Sequence, residues 1–96
     1  MHDCSVATGD AWLRAHIGGY AIWAITHHSL LIVTWDENDG SPGNQIPTIF
    51  AGPMVRSGRY GEHITHYSVL RTIEDLYRLP LLGHAVTAHL IRGIWR

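Results

Sequence analysis

Lysine is absent from the chain, and cysteine occurs once, as Cys4. A lone thiol excludes an internal disulfide and any zinc knuckle built on paired cysteines. The seven basic residues are scattered arginines, and net charge is −1 with histidine neutral. Sequence-independent nucleic-acid binding sets clustered Lys and Arg against phosphates, so nucleic acid is not an expected partner. No apolar run reaches the roughly 18 residues of a membrane span. The opening Met1-His2-Asp3-Cys4 has neither the basic start nor the apolar core of a signal peptide. Also missing are a Gly-x-Ser-x-Gly elbow, an HExxH zinc helix and a phosphate-cradling glycine loop followed by lysine.

Charge is scarce as well, at 16% of residues against a usual share of about a quarter. Ninety-six residues make one small domain at most, and a chain of that size hides only about two thirds of its unfolded surface. With 46% hydrophobic residues the chain is too apolar for disorder. A small domain with so few charges is expected to be covered in part by other protein. Histidine is abundant, at eight residues. It is both a metal ligand and an acid–base group near neutral pH.

Thr8-Gly9-Asp10 reads as a helix start, with Thr8 or Asp10 as the cap. Leu13, Ile17, Tyr20 and Ala24 follow at helical spacing, with Trp12 and Trp23 expected to widen the core stripe. Gly18-Gly19 costs about 1 kcal/mol per glycine inside that helix. The helix is expected to reach Thr26, with His27-His28 in the turn. Residues 29–35, SLLIVTW, form a continuous apolar run, the pattern of a strand covered on both faces as in a parallel sheet. A turn-rich loop leads to a second strand over 46–51, where Pro47 fits a strand start or edge. A second helix opens near His66 with Val69, Leu70, Ile73, Leu76 and Tyr77 on one stripe, and Leu79-Pro80 stops it. The tail from Leu81 is expected to be irregular with one helical turn. Helix, buried strand, strand and helix in that order make a partial α/β sandwich: one domain over 1–96, lacking the strands that would flank the first.

Asp36 and Glu37 follow the apolar run directly. Ligands of open α/β sheets gather beyond the carboxyl ends of strands, and adjacent carboxylates there repel unless a cation neutralises them. A hard divalent cation does so through oxygen ligands; a solvated acidic turn is the plainer alternative. His66 stands at a loop-to-helix junction, where the helix end favours anions such as phosphate, or it is an ordinary capping-region histidine. His2 and Asp3 read by themselves as a chain terminus.

Four segments in this order, MHDCSVATGDAWL, SLLIVTWDENDG, QIPTIFAGPMV and THYSVLRTIEDLYRLP, resemble the C-terminal portion of the bacterial phosphoesterase family that includes phospholipases C and acid phosphatases. The closing GHAVTAHLIRGIW is similar to that family's tail, so the resemblance covers nearly the whole chain. It implies an alkaline-phosphatase-like α/β sandwich that hydrolyses phosphoric esters with bound divalent metal. It further implies that Asp36 and Glu37 are metal ligands and that His2, with its neighbour Asp3, serves the transferring phosphate or the leaving oxygen. His66 lies on the histidine of the HYSVLRT motif, and a late histidine binds metal in the wider group. The family's nucleophilic hydroxyl and remaining ligands come from an N-terminal half with which nothing here aligns. The resemblance therefore implies an enzyme portion inactive alone, with a separately encoded N-terminal half as a candidate partner. The alternative is a non-catalytic remnant that binds metal weakly or not at all. Relatives are often exported, and this chain's compartment is left open. Two departures from the family pattern are Gly18-Gly19 and Arg78, which stands where relatives usually carry a helix-ending glycine.

A strand built for neighbours it does not have should leave the chain marginally stable. Calorimetry is expected to show a low or broad transition; a sharp one at high temperature would contradict the reading.

Overall fold

Residues 3–96 are described by a computed structural model. Its elements are α1 (Val6–Thr26), β1 (Leu31–Thr34), β2 (Thr48–Ala51) and α2 (His66–Leu76), then a 3-10 turn at Gly83–Val86. This is the expected α/β order, two helices and a two-stranded antiparallel sheet, consistent in content with a partial α/β sandwich. The chain divides into two compact units, Met1–Val55 and Arg56–Arg96.

In the first unit, α1 starts earlier than the Thr8 or Asp10 cap expected from sequence. Ser5 is the N-cap, in extended conformation, and its Oγ accepts the Thr8 amide at 3.1 Å. The Thr8 hydroxyl lies 2.9 Å from the same oxygen. Residues 6 and 7 tolerate helical geometry, so the serine three positions upstream satisfies the orphan amide first. Ala24 is buried, while Leu13 and Ile17 are half-buried. The tryptophans depart from their expected core role. Trp12 is 56% and Trp23 46% exposed, because they lie to one side of the Leu13–Ile17–Ala24 line. Each stacks instead on the histidine one turn on: Trp12 on His16 at 4.5 Å and Trp23 on His27 at 4.1 Å. Each histidine Nδ1 also lies 2.9 Å from the carbonyl oxygen of its tryptophan.

The helix ends with His28 at φ 48° and the Ser29 amide donating to the Ala24 carbonyl at 3.1 Å. That bond is the longer of the two that define a Schellman turn. β1 then pairs antiparallel with β2, from Leu31 opposite Ala51 to Thr34 opposite Thr48. The doubly covered, parallel-type strand suggested by the apolar run is therefore not what forms among the described residues. Leu31, Ile32 and Val33 are only half-buried. The strand available to β1 is β2, which the intervening loop returns in the opposite direction, and only α1 packs against the pair. At the exit from β2, a Cβ on Gly52 would sit 2.6 Å from the Ser29 carbonyl oxygen, so this position admits no side chain without a backbone shift.

The second unit has its buried residues on α2 and the tail: Val69, Ala85, Ile91 and Ile94, with polar Ser68, Thr72 and Glu74 among them. The apolar stripe expected on α2 is thus only partly buried. Leu76 is 50% and Tyr77 74% exposed. What faces inward instead is a polar row that holds the tail. Thr72 Oγ1 donates to the Ser68 carbonyl at 2.7 Å and accepts the Ile91 amide at 3.1 Å. Glu74 Oε1 accepts the Leu82 amide at 3.1 Å, and Arg71 Nη1 donates to the carbonyls of Ala85 and Val86 at 3.1 and 2.9 Å. Tail segments with little secondary structure need partners for their backbone groups, and these side chains supply them. The Arg56 amide and guanidinium add bonds to the Ile94 and Gly93 carbonyls, both at 2.8 Å.

The end of α2 explains the Arg78 departure. Leu79 donates to the Glu74 carbonyl at 2.8 Å and Arg78 to that of Asp75 at 3.1 Å, with Arg78 at φ 53°. This is a Schellman turn whose left-handed position glycine occupies most cheaply. Arg78→Gly is expected to raise unfolding free energy by about 1 kcal/mol, from relief of the left-handed strain. Gly19→Ala, where an added Cβ meets nothing within 4 Å, should raise it by about as much through helix propensity. Urea titration of the two variants checks both. Thr72→Val should go the other way by about 1–3 kcal/mol, since the buried Ile91 amide loses its acceptor.

Candidate functional site

β1 ends at Thr34; Trp35 is half-buried, and Asp36 and Glu37 follow with both side chains exposed. The loop beyond them is built by its own polar residues. The Asn38 amide donates to Asn44 Oδ1 at 3.1 Å, the Gly40 amide to Asn38 Oδ1 at 2.9 Å, and the Ser41 hydroxyl to Asp39 Oδ1 at 2.6 Å. Gly40 and Gly43 take φ near 90°, which suits glycine alone at low cost. Asn38 and Asp39 of the DENDG segment, with Asn44 beyond it, thus take part in building the turn. The first two acids lie at the mouth of the strand.

Asp3 is exposed and precedes α1. Its neighbour Cys4 lines a cavity of about 400 Å³ together with Thr8, Trp12 and Leu13 of the helix and Val33 and Trp35 of the strand region. The residue after Asp3 and the residue before Asp36 therefore border one hollow within the first unit. His2 lies outside the described residues. His66 is the first residue of α2, in the second unit, and is exposed. Its position is set by the turn before it, where the Thr65 amide donates to Ser68 Oγ at 3.1 Å.

Two features escaped the sequence reading. One is the cavity, whose only advance signal was Thr8 and Trp12 one turn apart on a helix. The other is the polar row of α2, hidden because Ser, Arg, Thr and Glu ordinarily mark a solvated face. That row gives part of the HYSVLRTIEDLY motif a structural role in docking the tail.

The donor chemistry of Asp36 and Glu37, two carboxylates side by side, suits a hard divalent cation. Among the described residues, no three His, Cys, Asp or Glu side chains are grouped to hold a metal ion. The pair fits such an ion in kind and would by itself supply only part of its ligands.

An α/β chain with acids at a strand's carboxyl end is the architecture of many hydrolases, and comparison with known proteins narrows the class. The phosphoesterase family model matches residues 1–80, and the chain belongs to that family. It is similar to a phosphatidylinositol-3-phosphatase of Mycobacterium tuberculosis (strain ATCC 25618 / H37Rv), 58% identical over 95 residues. The match covers 99% of this chain and 32% of the relative. The chain thus spans about a third of the curated relative's length. No solved structure matches it.

With two carboxylates as its adjacent donors, the chain by itself should bind divalent cations weakly, with Kd no tighter than about 1 mM, the range of weak calcium modules. Calorimetric titration with Mg²⁺, Ca²⁺ and Mn²⁺ measures this. The double variant Asp36→Asn, Glu37→Gln should abolish the residual heat.

Proposed function

We propose that this chain forms part of a metal-dependent phosphoric ester hydrolase, in which Asp36 and Glu37 are metal ligands and the nucleophile comes from an N-terminal part. The observation that carries the proposal is the direct succession, in a phosphoesterase-family chain, of an apolar strand and two exposed carboxylates. A divalent cation bound there would supply positive charge to the phosphoryl oxygens and lower the pKa of an attacking hydroxyl. Asp36 and Glu37 would fix its place by accepting it between oxygens that are otherwise mutually repulsive. His2, adjacent to Asp3, would donate a proton or hydrogen bond to the leaving oxygen, the service a phosphoryl transfer needs besides charge stabilisation. His66 is proposed as a further metal ligand, its imidazole presented by the first turn of α2.

The relative's name favours a phosphomonoester substrate, with a phosphoinositide headgroup as the class to test first. Acid phosphatase activity on small phosphomonoesters and phospholipase C activity on phosphodiesters are the neighbouring assignments. A second reading, a non-catalytic remnant, is favoured by the lack of three grouped metal-binding side chains among the described residues.

The purified chain with added divalent metals is expected to show no measurable turnover of an aryl phosphate or a phosphatidylinositol phosphate. Joined to the unmatched part of the mycobacterial relative, it should hydrolyse the monoester, and Asp36→Ala should lower kcat/KM by a factor of about 10² or more, the scale of losing a charge-stabilising group. Turnover by the chain alone that disappears in Asp36→Ala would remove the need for a second part. An inactive joined protein would favour the remnant.

A further inference from the structure

The first unit carries apolar surface that its own residues do not cover. α1 has only Asp10 and Arg14 as charged residues among its 21, and exposed along it are Val6 at 78%, Ile22 at 72%, Ile25 at 61% and Trp12 at 56%. A helix with so few charges and so many exposed apolar side chains belongs against a larger body of protein. Among the described residues no helix is long and apolar enough to cross a membrane. β1 makes the matching demand: Leu31, Ile32 and Val33 are half-buried and ladder-bonded on one side only, in a two-stranded sheet of order β1-β2.

The 400 Å³ cavity connects these two surfaces. Its walls come from Cys4, from Thr8, Trp12 and Leu13 of α1, and from Val33 to Trp35; no β2 residue contributes. It lies between α1 and the end of β1, a strand whose second edge no strand pairs among the described residues. An added strand uses such an edge through main-chain hydrogen bonds, with alternate side chains seated in pockets beside it. Edges of this kind are normally paired, covered or charged, and β1 carries no charge.

We infer that the open edge of β1 and the cavity beside it are a strand-docking surface for the remainder of a phosphoesterase domain. One strand of that remainder would extend the sheet beyond β1 and seat an apolar side chain between Trp12 and Val33. The occupant is indicated by length: about two thirds of the mycobacterial relative lies outside its match to this chain, while nearly all of this chain lies within it. Docking at this edge also delivers the incoming part to the strand end that bears Asp36 and Glu37. The inference rests on the reading of the chain as part of a phosphoesterase, and it assigns the surface through which the parts meet.

The test co-expresses the full 96-residue chain with the unmatched part of the mycobacterial relative as a separate polypeptide, and follows co-purification, affinity and amide hydrogen exchange. The expected result is a stable complex in which the amides of residues 31–35 gain protection. Thr8→Trp, which fills the cavity from an exposed helical position, should weaken the complex at least about tenfold while leaving the free chain's circular dichroism unchanged. Ile49→Lys, on β2 and away from the cavity lining, should stay within about twofold. Equal binding by Thr8→Trp, protection confined to other segments, or absence of a complex would overturn the inference. So would concentration-dependent self-association that protects the β1 amides without any partner, because the surface would then belong to a second copy. Monoester hydrolysis by the complex is scored separately. A complex formed as described but without turnover counts against the hydrolase reading and leaves the docking surface standing, whereas turnover by the joined protein without edge protection does the reverse.

Discussion

A short apolar strand that hands over directly to two carboxylates sets conflicting requirements on the chain. Leu31 to Val33 need cover from water, whereas the charged Asp36 and Glu37, two and three residues beyond the strand end, need a polar surrounding. Both are met only at the rim of a sheet whose strand is enclosed while its carboxyl end opens on a cleft. The protein achieves half of this arrangement. The acids are exposed at the strand mouth, but the strand is half-covered by one helix and paired on one side. The half-covered strand and the partly buried helix both follow from a sheet that has two strands among the described residues.

Its second unit solves a different problem. The segment after α2 is mostly irregular, and its backbone groups require partners that no ladder provides. Arg71, Thr72 and Glu74 turn inward to meet that need, which is why a helix of ordinary polar composition buries a glutamate and a threonine almost completely. The bonds join residues 8 to 19 positions apart. They tie the chain's end to α2, so the helix that presents His66 is braced from its other end. Arg78 in a left-handed conformation shows that this closure is kept even where the residue makes it costly.

Family membership and residue geometry bear on function at different levels. Membership places the chain in the phosphoesterase family. The geometry adds that the residues next to Asp3 and Asp36 share one hollow of the first unit. A phosphoryl-transfer centre requires charge neutralisation, a nucleophile and a proton donor together, and the proposed cation on the carboxylate pair would address the first of these.

Much of the architecture was legible in the order of residues. The element sequence, an end to α2 before Pro80 and the strand preceding the acids are all local matters. Helical spacing, β-branched runs and turn residues express backbone preferences acting over a few positions. The candidate site was legible in the same way, since Asp36 and Glu37 announce themselves by following an apolar run. What the order of residues did not decide was which faces would be covered. Trp12 and Trp23 look like core and stand half in water on their histidines; Thr72 and Glu74 look like surface and are buried. The direction of pairing at β1, the start of α1 at Ser5 and the cavity beside Trp12 were likewise settled only in three dimensions. Burial is a property of what lies opposite a residue in space, and a periodic pattern specifies a face without specifying the neighbour that will cover it.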